Sequence, residues 1–164
     1  MRQGEAAAAY ERFAEILPIA REGNRRISVA EALAFLGWAA GDLGRWEETA
    51  ARCVESLELC SAGETWGRRI AIEWGLFGLA RVAHVRGNPA RAARLLGATE
   101  AVRDGPVSPA RRRELDSAAA AARAQMEAAE FEAAWTEGRA MPLDQAIALA
   151  LQEASAISSP ASAL

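Results

Sequence analysis

Apolar residues recur along most of the chain at three- and four-residue spacing, interrupted by short breaks that carry glycine, asparagine or proline. Between Glu64 and Arg86 the apolar positions are Ile72, Leu76, Leu79, Ala80 and Ala83, the spacing of one face of an α-helix. Gly87 then supplies a residue free to take the left-handed conformation that ends a helix. Asn88 can cap the next helix, and Pro89 suits its first position, where no backbone donor is needed. That next helix is expected to run to about Arg103, with Leu95, Leu96, Thr99 and Val102 on one side. Two antiparallel helices joined by a tight turn are predicted.

The same device occurs earlier. Gly44 and Gly87 are 43 residues apart. At that offset Arg25-Arg26-Ile27 aligns with Arg68-Arg69-Ile70, Leu33 with Leu76, Leu36 with Leu79, Ala40 with Ala83 and Ala50 with Ala93. Gly37 falls on Ala80, which places a small residue where two helices cross closely. After Gly44 the apolar set is Trp46, Ala50, Cys53, Val54 and Leu57, with Glu47, Glu48, Arg52, Glu55 and Glu58 mostly turned outward. This is an internal repeat of helical hairpins.

The expected organisation is therefore all-α, a solenoid of helical hairpins closed by a C-terminal helical cap. Residues 1–104 form the repeats, with a partial unit at about 4–22 and full units at about 25–61 and 65–103. In the partial unit Ala9, Phe13 and Ile16 share a face, and Pro18 is expected to kink or fray its end. Its partner helix is missing, so one face of the first helix is expected to be unprotected, as in a chain cut from, or docked onto, something longer. Residues 105–154 read as capping helices. Ser108 and Pro109 start one whose face is Leu115, Ala119, Ala122 and Met126. Phe131 and Trp135 mark a second, stopped by Gly138. Pro142 opens a third with Leu143, Ala146, Ile147, Ala150 and Leu151. Residues 155–164 are expected to be disordered.

Composition narrows the chemistry. Alanine dominates a hydrophobic fraction of 51% and β-branched residues are few, which favours helix over strand. All 19 basic residues are arginine, in keeping with GC-rich bacterial coding, and a net charge of −3 argues against general nucleic-acid binding. Cys53 and Cys60, roughly 10 Å apart along one helix, cannot bridge and read as buried thiols. No run is long and apolar enough for a membrane span, and the first residues lack the layout of a signal peptide, so a cytoplasmic protein is expected. No phosphate loop, nucleophile elbow or zinc helix occurs, and one histidine leaves few catalytic constellations. A non-enzymatic chain without cofactor or metal is expected.

The segments "FLGWAAGDLGRW" and "GLARVAHVRGNP" resemble tetratricopeptide repeats of the longer-period kind. "RAARLLGATEAVRD", "RRRELDSAAAAARAQM", "FEAAWTEGRAM" and "LDQAIALAL" resemble the C-terminal region of large bacterial signalling ATPases and LuxR-type transcriptional regulators, a likeness that extends to about Glu153. The resemblance implies a sensor, scaffold or oligomerisation arm. Neither a nucleotide-binding domain nor a helix-turn-helix is present in this sequence, so neither of those activities carries over.

Repeat arrays of this kind bind on the concave side, lined by the first helix of each pair. There the second repeat offers Trp74, Phe77, Arg81 and His84, and the first offers Glu31, Trp38 and Asp42. Trp38, Trp74, Phe77, Arg81 and His84 are the candidate ligand residues, with stacking and hydrogen bonding as the chemistry. The competing expectation is that Trp74 and Phe77 pack against the capping helices. Ala34, Trp38 and Phe77 stand in the region where peptide-binding relatives carry a carboxylate clamp, so that activity is not expected. The basic run "PARRRELD" reads as a solvated face. The partner is expected to be a protein, a peptide or a small effector, with a homodimer as the alternative.

Overall fold

Gly44 and Gly87 have φ of 75° and 74°, in the left-handed region that L side chains avoid. Each ends one helix and starts the next. After each, a backbone N–H reaches back five residues to an alanine carbonyl, Arg45 to Ala40 and Asn88 to Ala83, both at 2.9 Å. The same bond joins Arg25 to Ala20 at 3.1 Å, where Asn24 takes the left-handed position with φ 50°. One turn geometry is thus used three times, twice with glycine and once with asparagine.

The chain is described by a computed structural model over residues 3–61, 68–103 and 105–157, and it is all-helical. Among these residues eight helices follow in order: α1 (Gln3–Glu22), α2 (Arg26–Asp42), α3 (Trp46–Ser61), α4 (Arg69–Val85), α5 (Pro89–Val102), α6 (Pro109–Arg123), α7 (Ala128–Ala140) and α8 (Leu143–Ile157). Helices α2 and α4 are both 17 residues long. Asn88 and Ser108 cap α5 and α6, each accepting a 3.2 Å hydrogen bond from the backbone of the residue three positions on.

Close packing depends on missing side chains. A Cβ on Gly37 of α2 or on Gly78 of α4 would run into the Cys53 sulfur, so α3 seats this one residue in notches of both neighbours. Gly97 of α5 and Gly138 of α7 each lie against the other helix's backbone, at Trp135 and Arg94 respectively. Helix α8 packs against α3, α4 and α5, while α6 touches α4, α5 and α7. The main core runs from α2 to α8, with Ala30, Leu57, Ile72, Leu76, Leu79, Leu95 and Phe131 inside it. A second, smaller cluster holds α1 to α2 through Leu17, Ala20, Val29, Leu33 and Leu36.

Other expectations meet the structure as follows. Helix α1 spans Gln3–Glu22 with Pro18 inside it; that residue is exposed, so water can serve the carbonyl its ring leaves unpaired. Its inward face is Ala6, Leu17 and Ala20, and Ile16 points out, 45% exposed. Gly138 lies in the last turn of α7, two residues before the helix ends, and its missing side chain serves the α5 crossing. Helix α8 continues to Ile157, into the segment expected to be disordered. The expected helix start at Glu64 and the tail from 158 onward lie outside the described residues.

Candidate functional site

The face of α4 that carries Trp74, Phe77, Arg81 and His84 turns toward α6. Between α6 and the helix pairs lies a cavity of about 690 Å³, within the range of small-ligand sites. Its walls include Trp38 and Asp42 of α2, Trp46 of α3, Phe77, Arg81 and His84 of α4, and the Ser117–Ala118 side of α6. Trp38, Phe77, Arg81 and His84 are therefore brought together. Trp74 is not in this wall.

Trp74 is covered instead by Arg111. The guanidinium carbon of Arg111 lies 3.6 Å from the Trp74 ring centroid and 4.0 Å from that of Phe77. Glu73 and Glu114 pair with it at 3.4 and 3.3 Å. Arg111 is 7% exposed, the one charged residue buried among those described. Burial pulls its guanidinium below the ordinary arginine value, and the two glutamates oppose that pull. The reading of "PARRRELD" as a solvated face thus holds for Arg112 and Arg113, both exposed, and fails for Arg111. Packing of Trp74 and Phe77 on a capping helix is what the structure shows, through a cation stacked on the rings.

Arg81 is also committed. Its Nη2 pairs with Asp42 at 2.7 Å and its Nη1 donates to the Trp38 carbonyl at 3.4 Å. Both partners lie in the last turns of α2, where a cation meets the negative end of the helix dipole. Gly41 makes room: a Cβ there would stand 3.2 Å from Arg81 Nη1. Arg81 therefore clamps the second helix pair to the first, and its charge is neutralised in the cavity wall.

The aromatic residues form a continuous ladder across three helices. Phe13 stacks on Phe35 with centroids 4.8 Å apart, Phe35 meets Trp74 at 5.0 Å, Trp38 meets Trp74 edge-on at 5.2 Å, and Trp74 meets Phe77 at 6.4 Å. Phe13 and Phe35 were not among the sequence candidates, although Phe35 lies between Glu31 and Trp38 on the same helical stripe. Trp38 Nε1 and His84 Nδ1 are buried and lack a hydrogen-bond partner.

Cys53 and Cys60 are buried and unbridged, as expected. Burial pushes the Cys53 thiol up to about 12 and the Cys60 thiol up to about 11, which removes both from nucleophilic chemistry near neutral pH. Among the described residues no group of histidine, cysteine and carboxylate side chains is placed to hold a metal, and no helix is long and apolar enough to cross a membrane. No protein-family model, curated protein or solved structure matches the chain.

Proposed function

We propose that this chain is a non-enzymatic interaction and effector-sensing module of the tetratricopeptide-like kind, working within a bacterial transcriptional regulator or signalling ATPase. The observation that carries this reading is the cavity under α6, ligand-sized and walled by Trp38, Trp46 and Phe77. Arg81 and Asp42 in its wall are paired with each other, and aromatic rings and alanines make up much of the rest, so the walls offer contact area and shape. Helix pairs with their turns 43 residues apart supply a stiff frame, and α6 is the element placed to respond to an occupant.

The test is to fill the cavity. Ala118 of α6 lines it and is partly buried. The whole chain is screened by thermal shift against small organic effectors and short peptides, and each hit is repeated on Ala118→Trp. Ligands that raise the melting temperature of the parent protein and lose that effect in a folded Ala118→Trp support the reading. Hits that persist with the cavity filled, or turnover of a substrate by the chain, overturn it.

A second reading, a homodimerisation scaffold, is favoured by the outer face of α1. Ile16 and Ile19 stand 45% and 68% exposed there, more apolar surface than an isolated helix face needs. Sedimentation of the parent protein beside Ile19→Glu separates the two: a dimer lost on substitution supports the scaffold.

A further inference from the structure

Helix α6 is lightly held. Of its fifteen residues only Arg111, Leu115 and Ala122 are buried. Its principal anchor is a charge in a place where an apolar side chain would avoid the desolvation penalty. A charged anchor has one property an apolar one lacks: on release it is fully solvated, which leaves Leu115, Ala122 and the alanines beside them as the apolar face of the detached helix. The surface beneath it is then the aromatic ladder, with Glu73 freed of its cation. One turn before Phe35, on the same stripe of α2, stands Glu31, half-buried and without an ion-pair partner among the described residues. Burial without a cation pushes its carboxyl above the ordinary value.

We propose that the stripe formed by Phe35, Trp38, Trp74 and Phe77, flanked by Glu31 and Glu73, is a docking surface for an arginine-bearing segment of a partner protein, and that α6 with Arg111 is its resident occupant. The resident shows the mode of recognition: a planar guanidinium flat on two rings with a carboxylate at its edge. Lysine does not reproduce it, since an ammonium is a compact, strongly hydrated point charge. Glu31 stands where a second guanidinium finds an unpaired acid. The proposal rests on the front of α2 and α4 being a binding surface, and it names the partner chemistry.

Because Arg111 is tethered, it competes at high effective concentration, and an external arginine binds weakly until the resident is removed. The experiment titrates a fluorescein-labelled tri-arginine peptide, and its tri-lysine counterpart, into the parent chain and into Arg111→Ala, following anisotropy. Expected are at least about tenfold tighter binding of tri-arginine to Arg111→Ala than to the parent, at least about tenfold preference over tri-lysine, and loss of binding in Arg111→Ala/Trp74→Ala. Equal affinity for the two peptides, or no gain on removing Arg111, overturns the proposal. Heterodimers of Arg111→Ala with the parent chain that exclude the peptide also overturn it, assigning the surface to a second copy's α6. Should Arg111→Ala fail to fold, hydrogen exchange of α6 in the parent chain decides. Faster exchange over Arg112–Ala122 with excess tri-arginine, and not with tri-lysine, supports the proposal, and unchanged exchange overturns it. Effectors that still bind the cavity when tri-arginine does not would leave the effector-sensing reading standing and refute only the arginine surface.

Discussion

Arg111 brings a full charge into the fold, where its guanidinium meets two aromatic rings and two glutamates. Removing a buried ion's partner is far more damaging than replacing the pair by apolar groups, because the remaining charge stays desolvated. Arg111→Ala is therefore expected to lower stability by about 3 kcal/mol, while Arg111→Met with Glu73→Gln loses little, both read from urea midpoints. Cys53 ties stability to pH. Its thiol is pushed from an ordinary 9.0 to about 12 by burial, so the folded state holds the proton more tightly than the unfolded one. That stabilisation is complete below pH 9 and is lost as pH rises toward 12. Urea midpoints are expected to fall across that window, less so in Cys53→Ala, and Ellman's reagent should find neither cysteine in the native protein at pH 8. The thiols were legible from their helical spacing. Arg111 was not, because a periodicity reading turns every charge outward, and the aromatic pair that receives it lies on another helix.

Helices in this molecule meet where a side chain is absent, and two crossings differ in how they respond to one being added. At Gly37 and Gly78 the closest obstacle is the Cys53 sulfur, so Gly37→Ala is expected to destabilise by about 1–3 kcal/mol and to be largely rescued by Cys53→Ala. A double-mutant cycle measures the rescue, and strictly additive losses would show that the two positions do not share the contact. At Gly138 the obstacle is the backbone of Arg94, which no substitution can remove. Gly138→Ala must push α7 away from α5, and the cost is expected at or above the upper end of the same range, with no compensating partner. The sequence distinguishes these glycines poorly. Gly44 and Gly87 announce themselves because polar turn residues and a fresh apolar pattern follow. Gly138, two residues before the end of α7, looks the same in one dimension as a helix stop. Asn24 fills the left-handed turn position without the glycine signal, so the first hairpin turn was hidden although α2 itself was visible.

Across the whole molecule the apolar interior is divided unevenly. The large cluster joins seven helices, α2 to α8, whereas α1 is held to α2 by Leu17, Ala20 and a few partners, supplemented by polar ties to α3. Those ties are an exposed ion pair, Arg21 with Glu55 at 2.5 Å, and a part-buried hydrogen bond from the Tyr10 hydroxyl to Glu48. Exposed ion pairs contribute at most about 1 kcal/mol, so they cannot make up for a small core. Helix α1 should therefore open without the rest, in a step well below global unfolding. Native-state hydrogen exchange is expected to give α1 amides protection at least about tenfold lower than those of α4. The dependence on protein concentration then reads the outer face of α1 directly. An interaction module that is monomeric on its own exchanges α1 at the same rate at every concentration. A scaffold that covers Ile16 and Ile19 with a second copy slows it as concentration rises, by mass action on the closed form. Salt separates the contributions further: screening weakens the Arg21–Glu55 tie and speeds α1 exchange modestly, but leaves an apolar dimer contact intact.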